Sequence, residues 1–233
     1  MFDAISFSQI NNYPWFNLGL IFIYLAVLVT IAENINRLVE TDLELTRKIV
    51  HIGSGNVVLL AWWLQVPASI IISAAVIASL VALTSYFLPI LPSINSVGRK
   101  SLGTFFYAVS IGILIFCFWH PDQRQYAVMG IMIMAWGDGL AAIIGQRFGK
   151  HTYSFLGSKK SWEGSLTMAV ATHLVTSSIL LVVQGNTWET WLISATVAIV
   201  ATALEAFSKL GIDNLTVPIG SATLCFALCQ LFS

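Results

Sequence analysis

The sequence is short of charge. Only 9% of its 233 residues are Asp, Glu, Lys or Arg, whereas a soluble domain carries about 25%. Eleven basic and eleven acidic residues cancel to a formal net charge of zero, which leaves no basic surface for a nucleic acid. Cysteine is scarce too. Cys117, Cys225 and Cys229 are the only three; they sit in apolar runs, fit no disulfide framework or zinc spacing, and are expected to be small buried hydrophobes. The first basic residue is Arg37, after the first apolar run. That run is therefore expected to be a retained span rather than a cleaved signal, and an Arg-rich transit peptide is not expected. No connection is long enough for a soluble domain, the longest polar stretch running from Gln146 to Gly164.

What is abundant is apolar length. Hydrophobic residues make up 57% of the chain, gathered in runs of the size that crosses a bilayer. Eight candidate spans stand out: Trp15–Ile31, Ile49–Leu64, Ala68–Leu88, Leu102–Trp119, Tyr126–Ile144, Leu166–Val183, Trp188–Leu204 and Leu215–Phe232. The second and last are short or mildly polar. The expected fold is thus an all-α, polytopic membrane helix bundle of seven or eight transmembrane helices, a single domain over 1–233. Taking the connections alternately, ten of the eleven Lys and Arg fall on one side and only Arg124 on the other. The positive-inside rule places the basic connections in the cytosol and both termini outside.

Four polar clusters fall at the predicted cytosolic helix ends. In Arg47-Lys48-Ile49-Val50-His51, Arg47 and His51 are four apart and share a helix face, with Lys48 beside them. Three nitrogen donors at a helix entry suit phosphate oxygens. Trp136-Gly137-Asp138-Gly139 puts a carboxylate inside an apolar helix, a costly placement that marks function by default. The flanking Gly137 and Gly139 let a nucleotide or metal approach the backbone. Gly157-Ser158-Lys159-Lys160-Ser161-Trp162-Glu163-Gly164-Ser165 reads as a loop opening a helix, suited to phosphate although it lacks the Walker A spacing. Ser161 alone also fits ordinary helix-start chemistry. The last cluster holds Glu205, Lys209, Gly211, Asp213, Asn214 and Pro218. Its Glu205 and Lys209 can form an i,i+4 pair, yet it also brings further acids to the side of Asp138. Convergent carboxylates with Lys and Arg suggest metal–phosphate chemistry. Arg99 and Lys100 lie on the same side and can add phosphate contacts.

These clusters, in this order from Arg47 to Pro218, resemble the polyprenol kinase family of phytol, farnesol and dolichol kinases. Short length and composition look most like the phytol/farnesol branch. The resemblance implies transfer of a phosphoryl group from CTP, or another nucleoside triphosphate, to phytol, farnesol or geranylgeraniol at the cytosolic membrane face. In the phytol branch it implies a role in recycling phytol towards tocopherol, in a bacterial or cyanobacterial-type membrane. It implies Asp138, His51 and Glu205 as catalytic groups. Arg47, Lys48, Gly137, Gly139, Lys159, Lys160, Ser161, Glu163, Lys209 and Asn214 would bind nucleotide and phosphate. Asp138, Glu205 and Asp213 would hold Mg²⁺. The motifs also resemble phosphatidate cytidylyltransferase, but its Gly-His-Gly-Gly signature is missing: after Asp213-Asn214 the chain runs directly into Leu-Thr-Val-Pro-Ile-Gly. A CTP-dependent diacylglycerol kinase or a cytidylyltransferase is the nearest alternative. A membrane transporter is the alternative of another class; it would favour repeated halves or helices broken at midplane, and the sequence shows no internal repeat.

Overall fold

Long apolar runs can satisfy their backbone in lipid only as helices, and the chain folds accordingly. The computed structural model describes residues 14–39, 43–87, 102–155 and 158–232. Ten helices are formed among them: α1 (Pro14–Val39), α2 (Leu43–Gly55), α3 (Val57–Trp63), α4 (Ala68–Phe87), α5 (Gly103–Phe118), α6 (Arg124–Met132), α7 (Gly139–Phe148), α8 (Trp162–Val183), α9 (Trp188–Ala206) and α10 (Asp213–Phe232). A π-helical turn, Ile133–Asp138, joins α6 to α7 into one continuous rod.

Six stretches are long and apolar enough to cross a membrane: Trp15–Ile35, Ala68–Ser85, Arg124–Phe148, Trp162–Val183, Trp188–Ala206 and Asp213–Phe232. The 16-residue α5 is a shorter apolar helix, about 24 Å long. The expected span Ile49–Leu64 is found as two helices, α2 and α3, interrupted at Asn56. The Asn56 side chain accepts a hydrogen bond from Trp136 Nε1 at 2.8 Å. The break thus ties this segment to the central rod.

That rod is the core of the bundle. In Arg124–Phe148, 72% of the most apolar window is buried, against 11% in α1 and in α4. Ala127, Val128, Met129, Ile133, Met134 and Ala135 are fully enclosed. Helices α8 and α10 pack against it, α9 packs against α8 and α10, and α5 closes against α10. Small residues set the spacing. A Cβ on Gly130 would lie 2.5 Å from the Pro218 carbonyl oxygen, and one on Gly55 would lie 2.2 Å from Ala135 Cβ. In a bilayer, where apolar burial gives little drive between helices, such close backbone approach supplies the packing.

One feature departs from the expected loop. Residues around Lys159 and Lys160 form a β-hairpin, β1 (Thr152–Phe155) against β2 (Ser158–Ser161), with Tyr153 opposite Lys160 and Ser154 opposite Lys159. Cys117 also differs from expectation: Cys225 and Cys229 are buried, but Cys117 is exposed on the shorter apolar helix α5. Gly157, Arg99 and Lys100 lie outside the described residues.

Candidate active site at one end of the bundle

Antiparallel helices bring five chain segments to one end: the middle of α2, the π-turn, β2, the end of α9 and the start of α10. Asp138, on the π-turn, is buried. Such turns leave the regular ladder locally and recur at functional sites. Lys48 on α2 is buried with it, its Nζ 2.5 Å from Asp138 Oδ2. His51, one turn further along α2, lies with Nε2 3.9 Å from the same oxygen and 3.4 Å from the Met134 carbonyl. Close packing permits this: a Cβ on Gly139 would meet Ile52 Cγ1 at 2.5 Å, and one on Gly137 would meet Met168 Sδ at 2.6 Å.

A second pair stands beside the first. Lys160 Nζ is 2.5 Å from Glu205 Oε1 and also donates to the Glu205 backbone carbonyl. Successive strand residues point to opposite faces. Lys160 therefore turns to the bundle while Lys159 stays exposed. Asp213 opens α10, its Oδ1 accepting from the Asn214 backbone N–H at 3.1 Å and from Asn214 Nδ2 at 3.2 Å. The two pairs and Asp213 share one electrostatic field: the charges of Asp138, Lys160 and Lys48 reach Asp213, and those of Asp138 and Asp213 reach Glu205.

The neighbouring nitrogen donors divide by role. Arg47 is exposed at the rim, and its charge reaches His51, whereas Lys48 has turned inward. Lys209 is exposed in the α9–α10 connection; the acid one turn before it, Glu205, is held by Lys160 instead. Ser161 caps α8, its Oγ accepting from the Gly164 N–H at 3.2 Å. Glu163 closes the hairpin: its carboxylate accepts from the His151 backbone N–H at 3.2 and 3.3 Å, and Oε1 lies 2.9 Å from His151 Nδ1. Glu163→Gln is expected to raise amide hydrogen exchange across Thr152–Ser161 by about fivefold, because a neutral acceptor binds these donors less strongly. Unchanged exchange would show that the hairpin closes without this contact.

Tyr107 on α5 escaped the sequence reading. Its ring centroid is 4.4 Å from that of His51. It sits in an apolar run with no charged residue to single it out, so no sequence signal marked it.

The donor set suits a hard cation. Asp138, Glu205 and Asp213 offer carboxylate oxygens only, and Mg²⁺ takes one or two carboxylates plus phosphate oxygens. Among the described residues no group of three or more His, Cys, Asp or Glu is gathered tightly enough to hold a metal by itself. A Mg²⁺ ion here would need the phosphates of a bound nucleotide to complete its shell.

Membrane-length helices with buried lysine–carboxylate pairs at one end define an integral membrane protein with its polar chemistry concentrated at that end. Comparison with known proteins adds its family. The chain is 52% identical over 213 residues to the phytol kinase of Synechocystis sp., covering 91% of each chain. It is 29% identical over 212 residues to a probable chloroplastic phytol kinase of Triticum aestivum, covering 82% of this chain and 69% of that one. It is 29% identical over 201 residues to chloroplastic phytol kinase 1 of Arabidopsis thaliana, covering 76% of this chain and 64% of that one. No family model and no solved structure matches it. The chain belongs to the phytol kinase family, and it is a kinase, a phosphotransferase with an alcohol acceptor.

Proposed function

We propose that the protein phosphorylates phytol to phytyl monophosphate, with CTP as donor, at the cytosolic face of the membrane. The observation that carries the substrate is the 52% identity, across nearly the whole chain, to a phytol kinase. The gathering of Asp138, Lys48, His51, Lys160, Glu205 and Asp213 at one end of the bundle supports the chemistry. The cytosolic placement is supported by the sequence alternation of basic connections, which assigns ten of eleven Lys and Arg to that side when eight spans are counted. The product would serve recycling of phytol towards tocopherol.

Phosphoryl transfer is mostly positioning and charge neutralisation. Lys159 and Arg47, exposed at the rim, meet the triphosphate first. Lys160 and Lys48 lie deeper, each already against a carboxylate, and shift part of their charge to phosphate oxygens as these arrive. Mg²⁺, held by Asp138 with Glu205 or Asp213, would neutralise charge developing on the β- and γ-phosphates. His51 or a carboxylate of the cluster orients the phytol hydroxyl and takes its proton. The hydroxyl oxygen then bonds to the γ-phosphorus as the bond from that phosphorus to the β-phosphate oxygen breaks, and CDP leaves. Holding the hydrocarbon in the bilayer avoids exposing it to water.

The test is a transfer assay on purified protein in detergent with Mg²⁺, γ-labelled CTP or ATP, and phytol, farnesol, geranylgeraniol or diacylglycerol. Label is expected in phytyl monophosphate, with CTP preferred. Label only in phosphatidate would move the protein to diacylglycerol phosphorylation. Release of pyrophosphate with a CDP-lipid would move it to cytidylyl transfer.

A further inference from the structure

Beside the charged cluster, on the outward face of the bundle, α9 and α10 leave a groove. Ile199, Ala203, Leu204, Phe207, Ile212 and Thr216 line a cavity of about 330 Å³, within the usual range for a small-molecule site. Its walls are mostly hydrocarbon. Of its two hydroxyl-bearing lining residues, Thr216 donates to the Ile212 carbonyl at 3.2 Å and Ser208 to the Leu204 carbonyl at 2.5 Å. Both donors are spent on nearby backbone, which leaves an apolar chain as the fitting occupant. Ile199 and Phe207 are 69% and 56% exposed, so on membrane-crossing helices the groove opens to lipid.

Its position relative to the charges gives it direction. Glu205 follows Leu204 on α9 and faces inward to Lys160, while Asp213 follows Ile212 at the start of α10. The backbone at that end of the groove therefore leads directly into two of the three carboxylate-bearing residues. The other end, at Ile199, lies six residues deeper along α9, about 9 Å into the apolar layer. Leu210 and Gly211, both in the left-handed region at φ 55° and 85°, make the tight connection that fixes the two helix ends together. For Leu210 this conformation carries a steric cost of about 1–2 kcal/mol.

We propose that this groove holds the isoprenoid chain of the alcohol, with the hydroxyl at the Glu205–Asp213 end. The inference rests on the lipid-alcohol kinase reading above, and its experiment separates the two. Ala203→Phe fills the groove without touching the charged cluster. It is expected to raise KM for phytol about tenfold and to change kcat by less than about twofold, while KM for prenol, a single-isoprene alcohol that needs only the mouth, stays unchanged. An unchanged KM for phytol would overturn the groove. Wild-type protein in phosphatidylcholine vesicles, photolysed with a diazirine-bearing phytol analogue, gives a second readout independent of turnover and of the variant's folding. Label on the 199–216 peptide that excess phytol displaces supports the site. Label elsewhere, or label that phospholipid displaces as well as phytol does, assigns the groove to ordinary bilayer lipid. Absence of phosphoryl transfer to any alcohol would remove the kinase reading of the donor and product, with the labelling pattern still deciding what the groove holds.

Discussion

Asp138→Asn is expected to abolish turnover, by about 10³-fold or more, the scale seen when a charge acting on the transferring phosphoryl group is lost. Asp138 carries the only carboxylate within reach of both Lys48 and His51 among the described ion pairs. Asparagine keeps the shape and one oxygen acceptor for Lys48, so losing the negative charge is expected to cost less stability than losing the lysine. The measurement is kcat of purified protein with matched circular dichroism and a monodisperse elution profile. Retention of turnover to within about tenfold in a folded protein would remove Asp138 from the chemistry.

Lys48→Met is expected to weaken the fold more than Asp138→Asn does. The variant leaves the Asp138 carboxylate buried with His51 3.9 Å away and no lysine against it. Breaking a buried ion pair from one side costs about 3–5 kcal/mol, because an uncompensated charge is left in a medium that solvates it poorly. For a chain of this size the thermal midpoint in detergent is expected to fall by about 10 °C. The double variant Lys48→Met/Asp138→Asn removes the charge along with its partner and is expected to regain most of that loss, while activity stays absent. This non-additivity identifies the two side chains as one unit. Equal stability of Lys48→Met and wild type would show that the carboxylate finds its compensation elsewhere.

Most of the fold was legible because membrane spans need only length and apolarity, and both are properties of the linear chain. The charged clusters were legible for a related reason: a carboxylate such as Asp138 inside an apolar run is conspicuous. What the sequence hid was pairing. Lys48 and Asp138 are 90 residues apart, and Lys160 and Glu205 are 45 apart; nothing local says which lysine meets which acid. Glu205 and Lys209 were well spaced to pair on one helix, but the hairpin delivers Lys160 to Glu205 first. The hairpin itself was missed since Thr152–Ser161 is too short and polar to show a strand period, and the contact at its base, Glu163 with His151, spans 12 residues. Asn56 carried no signal of its partner either, since the Trp136 that donates to it lies 80 residues away.

Among the described residues, the central rod, α9 and α10, which carry much of this site, are long and apolar enough to cross a bilayer. An acceptor alcohol dissolved in the same bilayer meets the enzyme by lateral diffusion in two dimensions. Its effective concentration is then its mole fraction among lipids, and the volume of the surrounding water does not enter. At a fixed total amount of alcohol, adding inert lipid should slow the reaction by surface dilution, whereas adding buffer should leave the encounter between alcohol and enzyme unchanged. The nucleotide, arriving from water, obeys the opposite rule. One end of the bundle thus reconciles two concentration scales, one per lipid and one per litre.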